Sequence, residues 1–101
     1  MVESSGVPVR QEQILGKGVI DSEARVLGYV SGIEFDPASW RTTHICVTLT
    51  DDAVEGLGYS KPRFFGSVSV NIPVEAVRIM SDVVSLNKNT KELAELIRRR
   101  P

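Results

Sequence analysis

From Arg25 to Thr50 the chain reads RVLGYVSGIEFDPASWRTTHICVTLT, two alternating runs separated by Asp36-Pro37-Ala38-Ser39. Leu27, Tyr29, Ile33 and Phe35 recur on one face of the first run. Thr43, Ile45, Val47 and Leu49 recur on one face of the second, with His44, Cys46 and Thr48 opposite. A period of two predicts half-buried strands, and the short connection predicts an antiparallel hairpin. Gly28 and Gly32 interrupt the first strand, where glycine marks sharp bending or close backbone approach. Trp40 stands at the hairpin tip, a position that is usually wet.

Later segments continue the pattern. Val68, Val70 and Ile72 alternate with Ser67, Ser69 and Asn71, which predicts another half-buried strand; PVEAVRIM and DVVSLN supply two more around a Ser81-Asp82 turn. Between them, Thr50 can cap a short helix over DDAVEGLG, with Asp51 and Asp52 in its first turn and Gly56 or Gly58 ending it. After residue 87 the period changes. Leu93, Leu96 and Ile97 recur at helical spacing, Asn89 and Glu92 form a capping pair, and Arg98 to Arg100 suit the negative end of the helix dipole. So short a helix is marginal alone in water, so its stripe must pack on the barrel, on a second copy or on another protein.

Residues 1–12 read as a flexible N-terminal arm, 13–87 as the folded domain and 88–101 as a C-terminal helix and tail. Several short strands with one inserted and one terminal helix predict a mostly β domain, a small barrel or sandwich. At 101 residues the chain supports one domain with a thin core.

Composition narrows the function. Twelve basic and 13 acidic side chains leave a formal net charge of −1, so no general attraction to nucleic acid or anionic membrane is expected. No run approaches the ~20 apolar residues of a membrane span and the first residues lack a signal-peptide core, so the expected location is the cytoplasm. One cysteine, Cys46, excludes an internal disulfide and a cysteine-rich zinc site, and in an apolar strand it reads as a small buried hydrophobe.

Candidate chemistry is sparse. His44 is the only histidine and belongs to no recognisable nucleophile motif. His44 and Cys46 cannot fill a tetrahedral zinc site, and Gly16-Lys17-Gly18 lacks the length and trailing residues of a phosphate loop. No catalytic residue, metal or cofactor is assigned. An enzyme would need a pocket lined by His44 and nearby carboxylates. Phe64 and Phe65 beside Lys61 and Arg63 make a short patch of the kind that stacks on bases. Trp40, Arg41, Tyr59, Phe64 and Phe65 are of the types enriched at protein interfaces, and are taken as the candidate partner-binding residues. Each can instead cover an end of the barrel.

The opening ILGKGVIDSEARVLGYVSGIEFDPASWRTTHICV resembles that of a PRC-barrel domain, with Leu15-Gly16-Lys17, Val19-Ile20-Asp21, Gly28, Val30, Ile33 and Phe35-Asp36-Pro37 matching. VNIPVEAVRIMSDVVSL resembles the family's closing strands through Ile72-Pro73, Val77, Asp82, Val84 and Leu86. The chain departs from the pattern at Ala24, Trp40 and Ser81, where glycine is common. PRC-barrels occur in the photosynthetic reaction-centre H subunit, in a bacterial ribosome-maturation factor and as stand-alone archaeal proteins. The size of this chain, its insert between Thr50 and Gly66 and its terminal helix are most similar to the last type. That resemblance implies a non-enzymatic homodimeric adapter, able to polymerise, that binds SepF, the membrane anchor of the FtsZ ring, at the division site. Leu93, Leu96 and Ile97 would then serve a dimer or partner helix. The alternative is an RNA- or ribosome-associated assembly factor.

Overall fold

The computed structural model describes residues 9–59 and 66–98, with Arg98 described through its backbone alone. A short helix α1 (Gln11–Ile14) leads into β1 (Gly18–Ile20), β2 (Val26–Asp36) and β3 (Arg41–Leu49). Helix α2 (Asp51–Gly56) precedes β4 (Ser69–Pro73), and a single 3-10 turn (Val74–Ala76) leads to β5 (Val77–Met80), β6 (Val83–Leu86) and helix α3 (Thr90–Arg98). Helix α1 reaches into the segment expected to be a loose arm. The 3-10 turn replaces the start of an expected strand, because Pro73 has no N–H to extend the ladder.

The strands form one six-stranded sheet in the order β4-β3-β2-β1-β6-β5. Every pairing is antiparallel except β1 with β6, which is parallel from Gly18 opposite Val83 to Ile20 opposite Ser85. The sheet coils about its core without closing into a complete barrel, since β4 and β5 share no ladder. At the junction, the Asn87 N–H donates to the Ala76 carbonyl and its side-chain amide to the Glu75 carbonyl, tying the 3-10 turn to the end of β6.

Strand β2 is the long member and its phase is not constant. Leu27 is an extra residue opposite β1, and Ser31 an extra residue opposite β3. Each bulge shifts the side-chain alternation by one. Leu27 and Val30 are therefore both buried, while Tyr29, expected in the inward row, points to solvent. Gly28 lies against the β3 backbone so closely that a Cβ would overlap the Thr48 carbonyl, as its place in the strand predicted.

The core is aliphatic: Val19, Leu27, Val30, Val47, Ile72 and Leu86 at its centre, joined by Val54 of α2 and Leu57 just after that helix. Thr50 caps α2, accepting from the Ala53 N–H at 3.2 Å, and Gly58 turns the chain out at φ +88. The capping pair at α3 forms as predicted. Asn89 Oδ1 accepts from the Glu92 N–H and Glu92 Oε1 from the Asn89 N–H, both at 2.8 Å.

The apolar stripe of α3 turns inward on this chain, which corrects its assignment to a dimer or partner helix. Leu93 is 0% exposed, and Ile97 and Leu96 are half-buried, Ile97 packed against the same core. A thin sheet core gains more by taking a leucine of its own chain than by leaving it for a partner. One buried carboxylate pins the helix in place. Asp21, 2% exposed, accepts from the Glu23 and Arg25 N–H groups at 2.9 Å, the Thr90 N–H at 3.1 Å and the Thr90 hydroxyl at 2.7 Å.

Candidate functional site: the tip of the long hairpin

Strands β2 and β3 outrun their neighbours. Strand β1 pairs with β2 only as far as Tyr29, and β4 pairs with β3 only as far as His44. Beyond those points the hairpin is a two-stranded ribbon, and every residue from Glu34 to Thr42 is exposed. Its end is organised by Asp36. The carboxylate accepts from the Ala38 N–H at 2.9 Å and the Ser39 hydroxyl at 3.2 Å, and the Asp36 carbonyl accepts from the Trp40 N–H at 2.6 Å.

That turn places Trp40 at φ +60, in the left-handed region. A side chain there is disfavoured by roughly 1–2 kcal/mol, which is why glycine is common at such a position. The indole is 76% exposed, so burial within the chain compensates little. What it does meet is Phe35, whose ring lies 5.2 Å away and 13° from parallel. Phe35 is itself 49% exposed, an outer continuation of the inward row beyond the end of the core. The pair forms an aromatic knob, with Arg41 beside it and Asp36 opposite Arg41 in the strand register.

Of the other partner-binding candidates, only Tyr59 falls among the described residues. Tyr59 is partly exposed just beyond α2, remote in sequence from the tip. Phe64 and Phe65, with Lys61 and Arg63, lie outside the described residues, as do Arg99 and Arg100. Phe35 was missed as a site residue because strict alternation assigned it to the interior.

His44 and Cys46 sit on the outer sheet face, not in a cleft. His44 Nδ1 is 2.9 Å from the Thr43 hydroxyl and 3.4 Å from Glu34 Oε1. Asn71 bridges the strands, its amide donating to Glu34 Oε2 at 3.1 Å while its Oδ1 accepts the Cys46 thiol at 2.9 Å. Burial first, and then the Glu34 charge, push the thiol pKa up, so Cys46 is held as a thiol rather than an activated nucleophile. Among the described residues no cluster of three or more His, Cys, Asp and Glu side chains is placed to hold a metal, and no helix is long and apolar enough to cross a membrane.

No known family profile matches the chain. No curated protein matches it either. A solved structure does: RimM of Pseudomonas aeruginosa, named for 16S ribosomal RNA processing, superposes with a TM-score of 0.52 at 15% identity. The match covers 89% of this chain and 50% of the RimM chain, so this protein spans about half the length of its structural neighbour. The fold is thus that of a mostly β, PRC-barrel-like domain.

Proposed function

We propose that this protein is a non-enzymatic adapter that docks a protein partner through the β2–β3 tip. One observation carries the reading. A bulky indole is held in a backbone conformation suited to glycine, at the end of a ribbon that projects past the core, where it contributes little to folding. Backbone strain of this kind persists where function uses the residue. Trp40 and Arg41 are of the types that dominate interface energetics, and Phe35 props the indole from behind. The partner implied by the sequence resemblance is SepF, which would place the protein at the cytoplasmic face of the division site. Light scattering on a sizing column, with the protein alone and mixed with SepF, tests that partner directly. A larger complex supports it; no shift at any ratio removes SepF. Trp40→Ala should weaken the complex by about 2 kcal/mol, or ~30-fold, with the domain still folded.

The structural neighbour favours a second reading, association with ribosome assembly. RNA filter binding at two salt concentrations separates the two, because phosphate contacts weaken steeply with salt. Tight, salt-sensitive binding would support the second reading. Its absence leaves the adapter.

A further inference from the structure

We propose that His44, Glu34 and Asn71 form a charge-controlled clamp, which ties the projecting ribbon to β4 when His44 is protonated and loosens it when His44 is neutral. The acidity of the surroundings then regulates how the tip is presented. The clamp sits at the root of the ribbon. The β3–β4 ladder stops at His44 opposite Pro73, which has no N–H to carry it further, and beyond that point β2 and β3 have only each other. A two-stranded hairpin is marginally stable by itself. How the ribbon is held is therefore set by what crosses from it to the third strand.

One carboxylate makes that crossing. Glu34 of β2 and His44 of β3 are register partners. Glu34 Oε1 is 3.4 Å from His44 Nδ1, while Glu34 Oε2 accepts from the Asn71 amide of β4 at 3.1 Å. Glu34 and Asn71 stand two strand spacings apart, roughly 10 Å at ~4.8 Å each, so the bridge spans all three strands. Its neighbours fix its polarity. The Cys46 thiol, held protonated, donates to Asn71 Oδ1 at 2.9 Å, which turns the amide N–H groups toward Glu34. The Thr43 hydroxyl donates its one hydrogen to the Glu34 carbonyl at 3.4 Å, so toward His44 Nδ1, 2.9 Å away, it acts as acceptor. The network thus assigns a hydrogen to Nδ1 and leaves Nε2 as the atom that gains or loses a proton.

Protonation converts the bridge from a contact between a neutral ring and a carboxylate into an ion pair, which is the stronger of the two. Glu34 is the charged group that meets the ring. Strand β4 presents Pro73 and Asn71, and β3 itself presents Thr43 and the Cys46 thiol, all neutral. Glu75, on the 3-10 turn packed against β3, is exposed and beyond ion-pair distance of the ring. The His44 side chain is only 21% exposed, so salt screens the pair less than it would on an open surface. Acid therefore restrains the ribbon and base frees it, across the pH 5–8 window in which histidine changes charge.

The regulatory role rests on the tip being a docking surface, but the clamp itself is read with no partner present. The chain has one histidine and one tryptophan, His44 and Trp40, so time-resolved fluorescence anisotropy of Trp40 in the full chain follows ribbon motion. The ratio of mobile to restrained ribbon should rise about threefold between pH 5 and pH 8, the size of one partly exposed ion pair. His44→Gln and Glu34→Gln each remove the charge pair and should abolish the step. Asn71→Ala cuts the tie to β4 and should leave the ribbon mobile at both pH values. Circular dichroism checks the fold of each variant, and Glu34→Gln, at an exposed position, carries the test if His44→Gln does not fold. A wild type with no step, a step that survives Glu34→Gln, or an Asn71→Ala ribbon as restrained at pH 5 as the wild type would overturn the clamp. SepF binding is measured in parallel. A missing SepF complex with the step present removes only the SepF reading, and a SepF complex without the step removes only the clamp.

Discussion

The Trp40 indole lies nearly parallel to the Phe35 ring, 5.2 Å away, on a turn that forces Trp40 to φ +60. Two opposed terms follow for stability. Stacking contributes ~0.5–1.5 kcal/mol, while the left-handed backbone costs about 1 kcal/mol or more. Trp40→Ala loses the first and keeps the second. Trp40→Gly loses the first and relieves the second. Denaturant titration should therefore find Trp40→Gly about 1 kcal/mol more stable than Trp40→Ala. Equal values would mean that the turn relaxes freely and that Trp40 is not strained.

Ala24 occupies the same backbone region at φ +65, exposed in the turn between β1 and β2. Ala24→Gly should raise stability by roughly 0.5–1 kcal/mol, read as a higher Tm at about 4–8 °C per kcal/mol. A lower Tm would show that the entropy glycine adds to the unfolded chain outweighs the strain removed.

The two glycines of β2 should differ sharply in their tolerance of a side chain. At Gly28 an added methyl meets the Thr48 carbonyl, which belongs to the backbone and cannot swing aside; at Gly32 it meets the Cys46 side chain at 3.4 Å, an ordinary contact. Gly28→Ala should lower stability by about 3 kcal/mol or more, or abolish soluble expression. Gly32→Ala should change it by less than ~1 kcal/mol. Comparable losses at both sites would contradict the close approach at Gly28.

Helix α3 belongs to the core of its own chain. Leu93→Ala should cost about 2–5 kcal/mol and Leu96→Ala less than ~1 kcal/mol by chemical unfolding. The reverse order would mean that the stripe faces outward after all.

Burial raises the pKa of Asp21, but the Thr90 hydroxyl and the N–H groups of Arg25, Glu23 and Thr90 outweigh it and hold the carboxyl below its ordinary value. Its folded pKa is thus below its unfolded one. The stabilisation is complete above the unfolded value of ~3.9 and is lost as pH falls through the folded value. Asp21→Asn should remove most of that acid dependence and lower stability at neutral pH by about 2–3 kcal/mol, from hydrogen bonds to a charged group. An unchanged acid limb in the pH–stability curve would exclude Asp21 as its source.

Local signals carried much of this fold. The β2–β3 hairpin, the Thr50 cap, the Asn89/Glu92 capping pair and the glycine exit at Gly58 all involve residues within a few positions of one another. The phase of β2 did not follow, because bulges at Leu27 and Ser31 are set by what β1 and β3 present across the ladder. Tyr29 was misplaced for that reason, and Phe35 because the ribbon carries it past the end of the core. The Asp21–Thr90 tie spans 69 residues and has no local signature. At the site, Trp40 and Arg41 stood out by residue type and turn position. Phe35 did not, since only the three-dimensional turn folds Trp40 back onto it.

The parallel β1–β6 ladder and the Asp21 tie join the first strand to the last elements of the chain. On a ribosome adding ~5–20 residues per second, Thr90 is made roughly 3–14 s after Asp21. Throughout that interval the nascent sheet has a bare β1 edge, and the Asp21 carboxylate lacks both of its Thr90 donors. The sheet therefore cannot be completed before α3 has been made, and the vulnerable period for misassembly ends only when α3 arrives.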